Sequence, residues 1–390
     1  MAIHIKPGDS EQATPSTPSV HAVKAADAAR TGDTRVSSRR RHLLRGVPAA
    51  ALLATALPAR AQQATSIKWR MGTSWPTSLP LLHEAALDFA TSIAQASGGR
   101  MTIEVIDPAQ HGAPAGLLQA VKEGKFEIGH TTAQYYAAAV PAIDFFTAIP
   151  FGLTAIENHG WMNEGGGQAL FDAILAPHNV LPLAAGNTAV QMGGWFAKEL
   201  KSPADLKGVR IRIAGFPGRV LARAGAVPVN LPLGQIAQAF ADGKIDAADI
   251  VGPAIDATLP VAQYAPHYHA PWHEPDVVMH AFIDRAKFMA LPADLQAIVR
   301  QCAQAAALRS IARAQDRNAV AMRGLEARGI RIKPLPASVV QALKEATELE
   351  LRESARADAD AARVIESLLA YKARVAGYAT QADGAVYAVR

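Results

Sequence analysis

The stretch from Lys207 to Pro253, KGVRIRIAGFPGRVLARAGAVPVNLPLGQIAQAFADGKIDAADIVGP, constrains the fold more than any other part of this 390-residue chain. It alternates short β-patterned runs with helix-patterned ones: a strand bearing two arginines, a Gly/Pro turn, a helix, a second strand at Pro228–Leu231, another helix and a third strand. That grammar predicts parallel strands joined by right-handed helical crossovers. Period two on the first strand puts Ile211 and Ile213 on one face and Arg210 and Arg212 on the other. A guanidinium carried inward at such a place needs an anion, and its planar fork matches a carboxylate.

The same grammar opens the region after residue 65. Ile67–Gly72 reads as a strand, a helix capped by Ser78 carries Leu82, Ala86, Phe89 and Ile93 at helical spacing, and Gly98-Gly99 ends it. Met101–Ile106 is a second strand, Leu117–Gly124 a helix and Phe126–His130 a third strand. Two α/β lobes are therefore expected. A helix starting at Leu291-Pro292-Ala293 and ending at Gly329 has Ile298, Ala305, Leu308, Ala312, Ala319 and Met322 as its expected apolar stripe. A short strand at Ile330–Lys333 and a helical tail follow.

Residues 1–61 read as an export signal. Arg39-Arg40-Arg41-His42-Leu43-Leu44-Arg45 precedes the apolar run Val47–Leu57 and an Ala59-Arg60-Ala61 cleavage pattern. The paired arginines resemble a twin-arginine signal, with a general secretory signal as the alternative; both place the mature protein in the periplasm. Removing the leader's nine Lys/Arg and four Asp/Glu from totals of 39 and 34 leaves thirty of each. The mature protein is close to neutral, and no basic surface for nucleic acid is expected. The single cysteine, Cys302, can form no internal disulfide.

The arginine strand and the following pattern of proline, apolar and glutamine residues leading to Gly243 and Asp246 resemble the solute-binding proteins of TRAP transporters (tripartite ATP-independent periplasmic transporters). Gly186-Asn187-Thr188-Ala189-Val190-Gln191-Met192-Gly193-Gly194-Trp195-Phe196 is similar to the signature of the branch that binds 2-oxo and 2-hydroxy monocarboxylates with a cation. The resemblance implies a periplasmic-binding-protein type II fold, with a first lobe over 66–189 plus 278–320 and a second over 190–277 plus 321–390, spanned by the long helix. It implies that Arg212 grips the carboxylate. Tyr135, Tyr136, Asn187, Gln191, Trp272 and Glu274 are then expected around the acid. Gln191, Asp249 and the main-chain oxygen of Ile250 are expected to hold sodium or calcium, both hard cations that take oxygen donors. Asp249 is shorter than the glutamate usual there, and Ile250 replaces an aromatic residue.

His267-Tyr268-His269, His273-Glu274 and His280 offer metal-ligand types, but the spacing is too loose for a closed zinc site. In the resemblance this segment is an aromatic wall. His83 is read as structural. A receptor that delivers its acid to TRAP membrane subunits, as a monomer or a homodimer, is the leading reading. An oxo-acid enzyme and a sensor for a membrane kinase are the alternatives. Against an enzyme stands the absence of a Ser/His/Asp order, a G-x-S-x-G elbow, a phosphate loop or a dinucleotide fingerprint.

Overall fold

The computed structural model describes residues 66–389, so the expected leader over 1–61 lies outside the described residues. Two sheets organise the chain. The first contains β1 (Ile67–Thr73), β2 (Met101–Ile106), β3 (Ile128–Thr131), β4 (Val180–Asn187) and β10 (Val278–Asp284), in the order β2-β1-β3-β10-β4. β1 runs parallel to β2 and β3, while β10 enters antiparallel between β3 and β4. The second contains β5 (Trp195–Phe196), β6 (Arg210–Arg212), β7 (Val227–Val229), β8 (Ala247–Ala248), β9 (His267–His269) and β11 (Ile332–Lys333), in the order β11-β9-β5-β8-β6-β7. Here β6 is parallel to both β7 and β8, as the crossover grammar requires.

The first helix is Pro80–Ala96, with Leu79 at its N-cap and no side-chain cap. Ser78 therefore does not cap it. Proline at the first helical position supplies the start instead, because its fixed φ suits the helix and its missing N–H would have had no partner there. Leu82, Ala86, Phe89 and Ile93 are all buried, as the spacing predicts.

The long helix is Ala293–Ala327. It packs on β4 and the Pro80–Ala96 helix of the first lobe and on Pro253–Asp256 of the second, so it spans both. Its buried face is not the expected one. Leu295, Val299, Cys302, Ala303, Ala306, Ala307, Ser310 and Ala314 point inward, whereas Leu308, Ala312, Ala319 and Met322 are exposed. Alanines on every side of the helix flatten the contrast from which a stripe is read.

The tail also departs from expectation. Ala337–Ala357 packs on the Gly215–Arg223 helix of the second lobe, but Ala359–Tyr378 crosses back onto Pro141–Phe146, Ala155–Glu164 and Gly167–Leu175 of the first. Extended Asp358 makes the break, and its Oδ1 accepts the Ala361 N–H at 2.7 Å to restart the helix. Val364, Ile365 and Leu368 are then buried in a core shared with Trp161 and Phe171.

Two buried histidines make the first sheet acid-sensitive. His130 Nδ1 accepts the Trp75 indole N–H at 3.0 Å, so its Nε2–H faces the Ala185 carbonyl at 3.2 Å and the ring is neutral. Burial lowers its pKa to about 4, and that of His280 to about 3. Both folded values lie below the ordinary histidine value of 6.5, so the unfolded chain takes these protons first. Their stabilisation is complete above about pH 6.5 and is lost as pH falls toward 4, His130 alone accounting for about 3 kcal/mol. Melting the wild type and His130→Gln at neutral pH and near pH 4.5 should show a smaller acid-induced loss in the variant. Parallel losses would contradict this account.

Candidate functional site

The carboxyl ends of β3, β6 and β8 converge on one small cavity of about 40 Å³. This is where ligands meet open α/β sheets. Thr132, Gln134 and Tyr135 reach it from the turn after β3. Arg212 is the last residue of β6, and Asp249 and Ile250 follow β8 directly. Gln191 comes from the loop after β4, and Glu274 from the loop before β10.

Arg212 is only 6% exposed and is fixed by main-chain acceptors. Its Nε donates to the Leu231 carbonyl at 3.0 Å and its Nη1 to the Asp249 carbonyl at 2.8 Å. Nη1 lies 3.7 Å from Asp249 Oδ2, and Nη2 has no hydrogen-bond partner among the described residues. The guanidinium is thus held in place with donors left for an anion. The other candidate arginines are committed elsewhere. Arg210 makes a two-pronged pair with Asp246 at 2.8 and 2.7 Å, and Arg219 binds Asp144 and Glu350, each at 2.8 Å.

Gln191 Nε2 donates to Thr188 Oγ1 at 3.0 Å, which turns its Oε1 into the free acceptor. Its main-chain N–H donates to the Glu274 carbonyl at 3.0 Å and ties the two loops together. Asp249, His273 and Glu274 are buried side by side, with one ligand atom from each lying within 4.8 Å of the others. Burial and the neighbouring Asp249 carboxylate push the Glu274 pKa up to about 8. Burial opposes charge on His273, but Asp249 beside it raises the imidazole above its ordinary value. Burial likewise raises Tyr135, whose ring sits 6.0 Å from that of Trp75 across the cavity wall. The free amide oxygen of Gln191 and two buried carboxylates are a donor set that fits a cation.

Three expected residues do not line this cavity. The Tyr136 hydroxyl donates to Thr131 Oγ1 at 3.1 Å and its ring packs on Phe282 at 5.7 Å, in the core. Asn187 Nδ2 donates to Asp276, while its Oδ1 accepts the Ala189 N–H at 2.7 Å, so it holds the turn and does not face the cavity. Ala189 has a positive φ of 56°, which makes that hold necessary. Trp272 packs against Phe151 at 6.2 Å. The imidazoles of the His267–His280 segment also part company: His269 lies edge-on to Phe196 and His280 to Phe171, and only His273 reaches Asp249 and Glu274. Thr132, Thr188 and His273 were missed by sequence reasoning. For His273 the available signal was an imidazole beside Glu274 in an otherwise aromatic stretch.

A family model described as bacterial extracellular solute-binding protein, family 7 (DctP) matches residues 71–358. The chain is 35% identical over 311 residues to a monocarboxylate 2-oxoacid-binding periplasmic protein from a Nostoc species, covering 80% of this chain and 85% of that one. A TRAP periplasmic solute-binding protein from Colwellia psychrerythraea, solved with calcium and pyruvate, aligns at a TM-score of 0.81 and 31% identity, over 83% of this chain and 100% of that one. Its counterpart from Pseudoalteromonas atlantica, solved with sodium and pyruvate, gives 0.80 and 32%, over 83% and 98%. These proteins are transport receptors, which sets the enzyme alternative aside. With the family model spanning most of its length, the chain belongs to the bacterial extracellular solute-binding proteins of family 7.

Proposed function

We propose that this receptor captures a small 2-oxo monocarboxylate together with a cation in the Arg212 cavity, and delivers it to TRAP membrane subunits. The observation that carries this reading is the pairing, within about 40 Å³, of a buried arginine with open donors and a buried carboxylate cluster. A cavity of about 40 Å³ suits an acid of few atoms, such as one of pyruvate size. Arg212 takes one carboxylate oxygen. Gln191, Asp249 and the Ile250 carbonyl, with Glu274 beside them, would hold the cation, which would neutralise charge on the acid's remaining oxygens. Calcium or sodium, as in the two solved relatives, suits these oxygen donors.

The periplasm is the expected compartment, reached through the twin-arginine-like leader over 1–61. Among the described residues no helix is long and apolar enough to cross a membrane. Homodimer formation through the C-terminal helices is supported by the exposed apolar side chains of Leu369, Tyr378 and Val386. Native mass spectrometry of protein purified without refolding tests the main reading: a mass increment equal to one small acid plus one cation is expected. An increment matching a sugar or an amine, displaced by no 2-oxo acid, would overturn it.

A further inference from the structure

The reading above treats the cation position as an oxygen site, yet this chain places a nitrogen within reach of it. His273 Nε2 lies 3.0 Å from Asp249 Oδ1 and 4.0 Å from Glu274 Oε2. His273 is 1% exposed and Glu274 2%. Glu274 lines the cavity, and its Oε2 has the His273 imidazole as its neighbour. Two carboxylates and one imidazole, gathered within 4.8 Å, are the makings of a mixed N/O site.

Resting on the acid-plus-cation reading, we propose that His273 is a nitrogen ligand that, with Asp249 and Glu274, makes this position prefer a borderline first-row divalent ion, zinc or cobalt in class, over calcium or sodium. The reasoning is one of donor type and charge. Calcium and sodium take oxygen donors, whereas imidazole suits borderline first-row ions, whose affinities for nitrogen-bearing sites exceed those of the hard cations. A divalent ion balances the Asp249 and Glu274 carboxylates, and Arg212 balances the carboxylate of the acid. Neither pair then leaves a buried net charge. For Nε2 to act as a ligand its proton would leave and the neutral ring would carry its one N–H on Nδ1, so the Nε2–H···Oδ1 hydrogen bond would be given up for a shared metal.

Tag-free, metal-depleted protein provides the test. Calorimetry with zinc, manganese, cobalt or calcium is run with and without saturating pyruvate, and the cobalt complex is followed by visible absorption. Only the pyruvate-enhanced component reports this site, which excludes surface histidines. Zinc or cobalt is expected to bind at least about tenfold more tightly than calcium, with cobalt bands that shift on adding pyruvate. His273→Gln should erase that preference and the band shift, weakening zinc and cobalt binding by at least about tenfold. His273→Asn serves as a second variant should the first melt differently from the wild type. Calcium equal to or better than zinc and cobalt in the wild type would overturn the inference. So would a preference that survives in both variants, since His273 would then only orient Asp249. Pyruvate bound with calcium or sodium alone sinks the inference but spares the proposed function. Folded protein that binds no 2-oxo acid under any cation removes both.

Discussion

Arg212→Ala is expected to abolish binding of small carboxylates while leaving the fold in place. The guanidinium is buried and braced by the Leu231 and Asp249 carbonyls, so a bound acid meets donors that need no reorganisation. Removing one partner of a buried, charge-assisted pair should cost about 4 kcal/mol, on the order of a thousandfold in affinity. Calorimetry with a panel of 2-oxo acids measures the loss, and a thermal melt checks the fold. Wild-type affinity in the variant would move the anion site elsewhere. Arg210 and Arg219 are poor substitutes, being held already by Asp246 and by Asp144 with Glu350.

The second large effect belongs to the cation. Asp249→Asn keeps the side-chain shape and removes its charge, whereas Gln191→Ala removes a neutral oxygen donor. If a cation bridges protein and acid, both should weaken acid binding, with Asp249→Asn the larger at about a hundredfold and Gln191→Ala at about tenfold. Their losses should not add, because each acts through the same ion. Affinity measured in sodium-free buffer after exhaustive chelation supplies the decisive comparison. If wild-type binding is unchanged there, no cation participates, and Asp249 serves only as partner to Arg212 and His273.

Local pattern made much of this architecture legible. The alternation at residues 207–253 and at 67–130 encoded the parallel strands, because period-two and helical apolar spacing report directly on which face is buried. Periodicity assigned Arg212 and Arg210 to one strand face, and only the family resemblance told them apart in role. That difference depends on Asp246, which claims Arg210 from the bend just before β8. Tyr135 and Tyr136 are adjacent on a single 3-10 turn, where one residue's rotation sends one ring to the cavity and the other to the core. Nothing in a neighbouring pair of tyrosines encodes that phase. The long helix was placed correctly and rotated wrongly, for alanine on all sides carries little orientation. His273 shows the deepest limit. Its role depends on Asp249, 24 positions away, which only folding brings into contact.

The burial of the polar groups around the Arg212 cavity also sets a clock. Its polar lining comes from both sheets, and Gln191, Arg212, Asp249 and Glu274 are all buried. An acid held by groups this deeply buried, drawn from both lobes, is released by a hinge excursion, a motion of the microsecond-to-millisecond range. Excess competitor in solution therefore has no route to hasten the exit of an acid already inside. A membrane partner that grips both lobes would act on the timing of that excursion, and so on whether cargo leaves at the permease or in open solution.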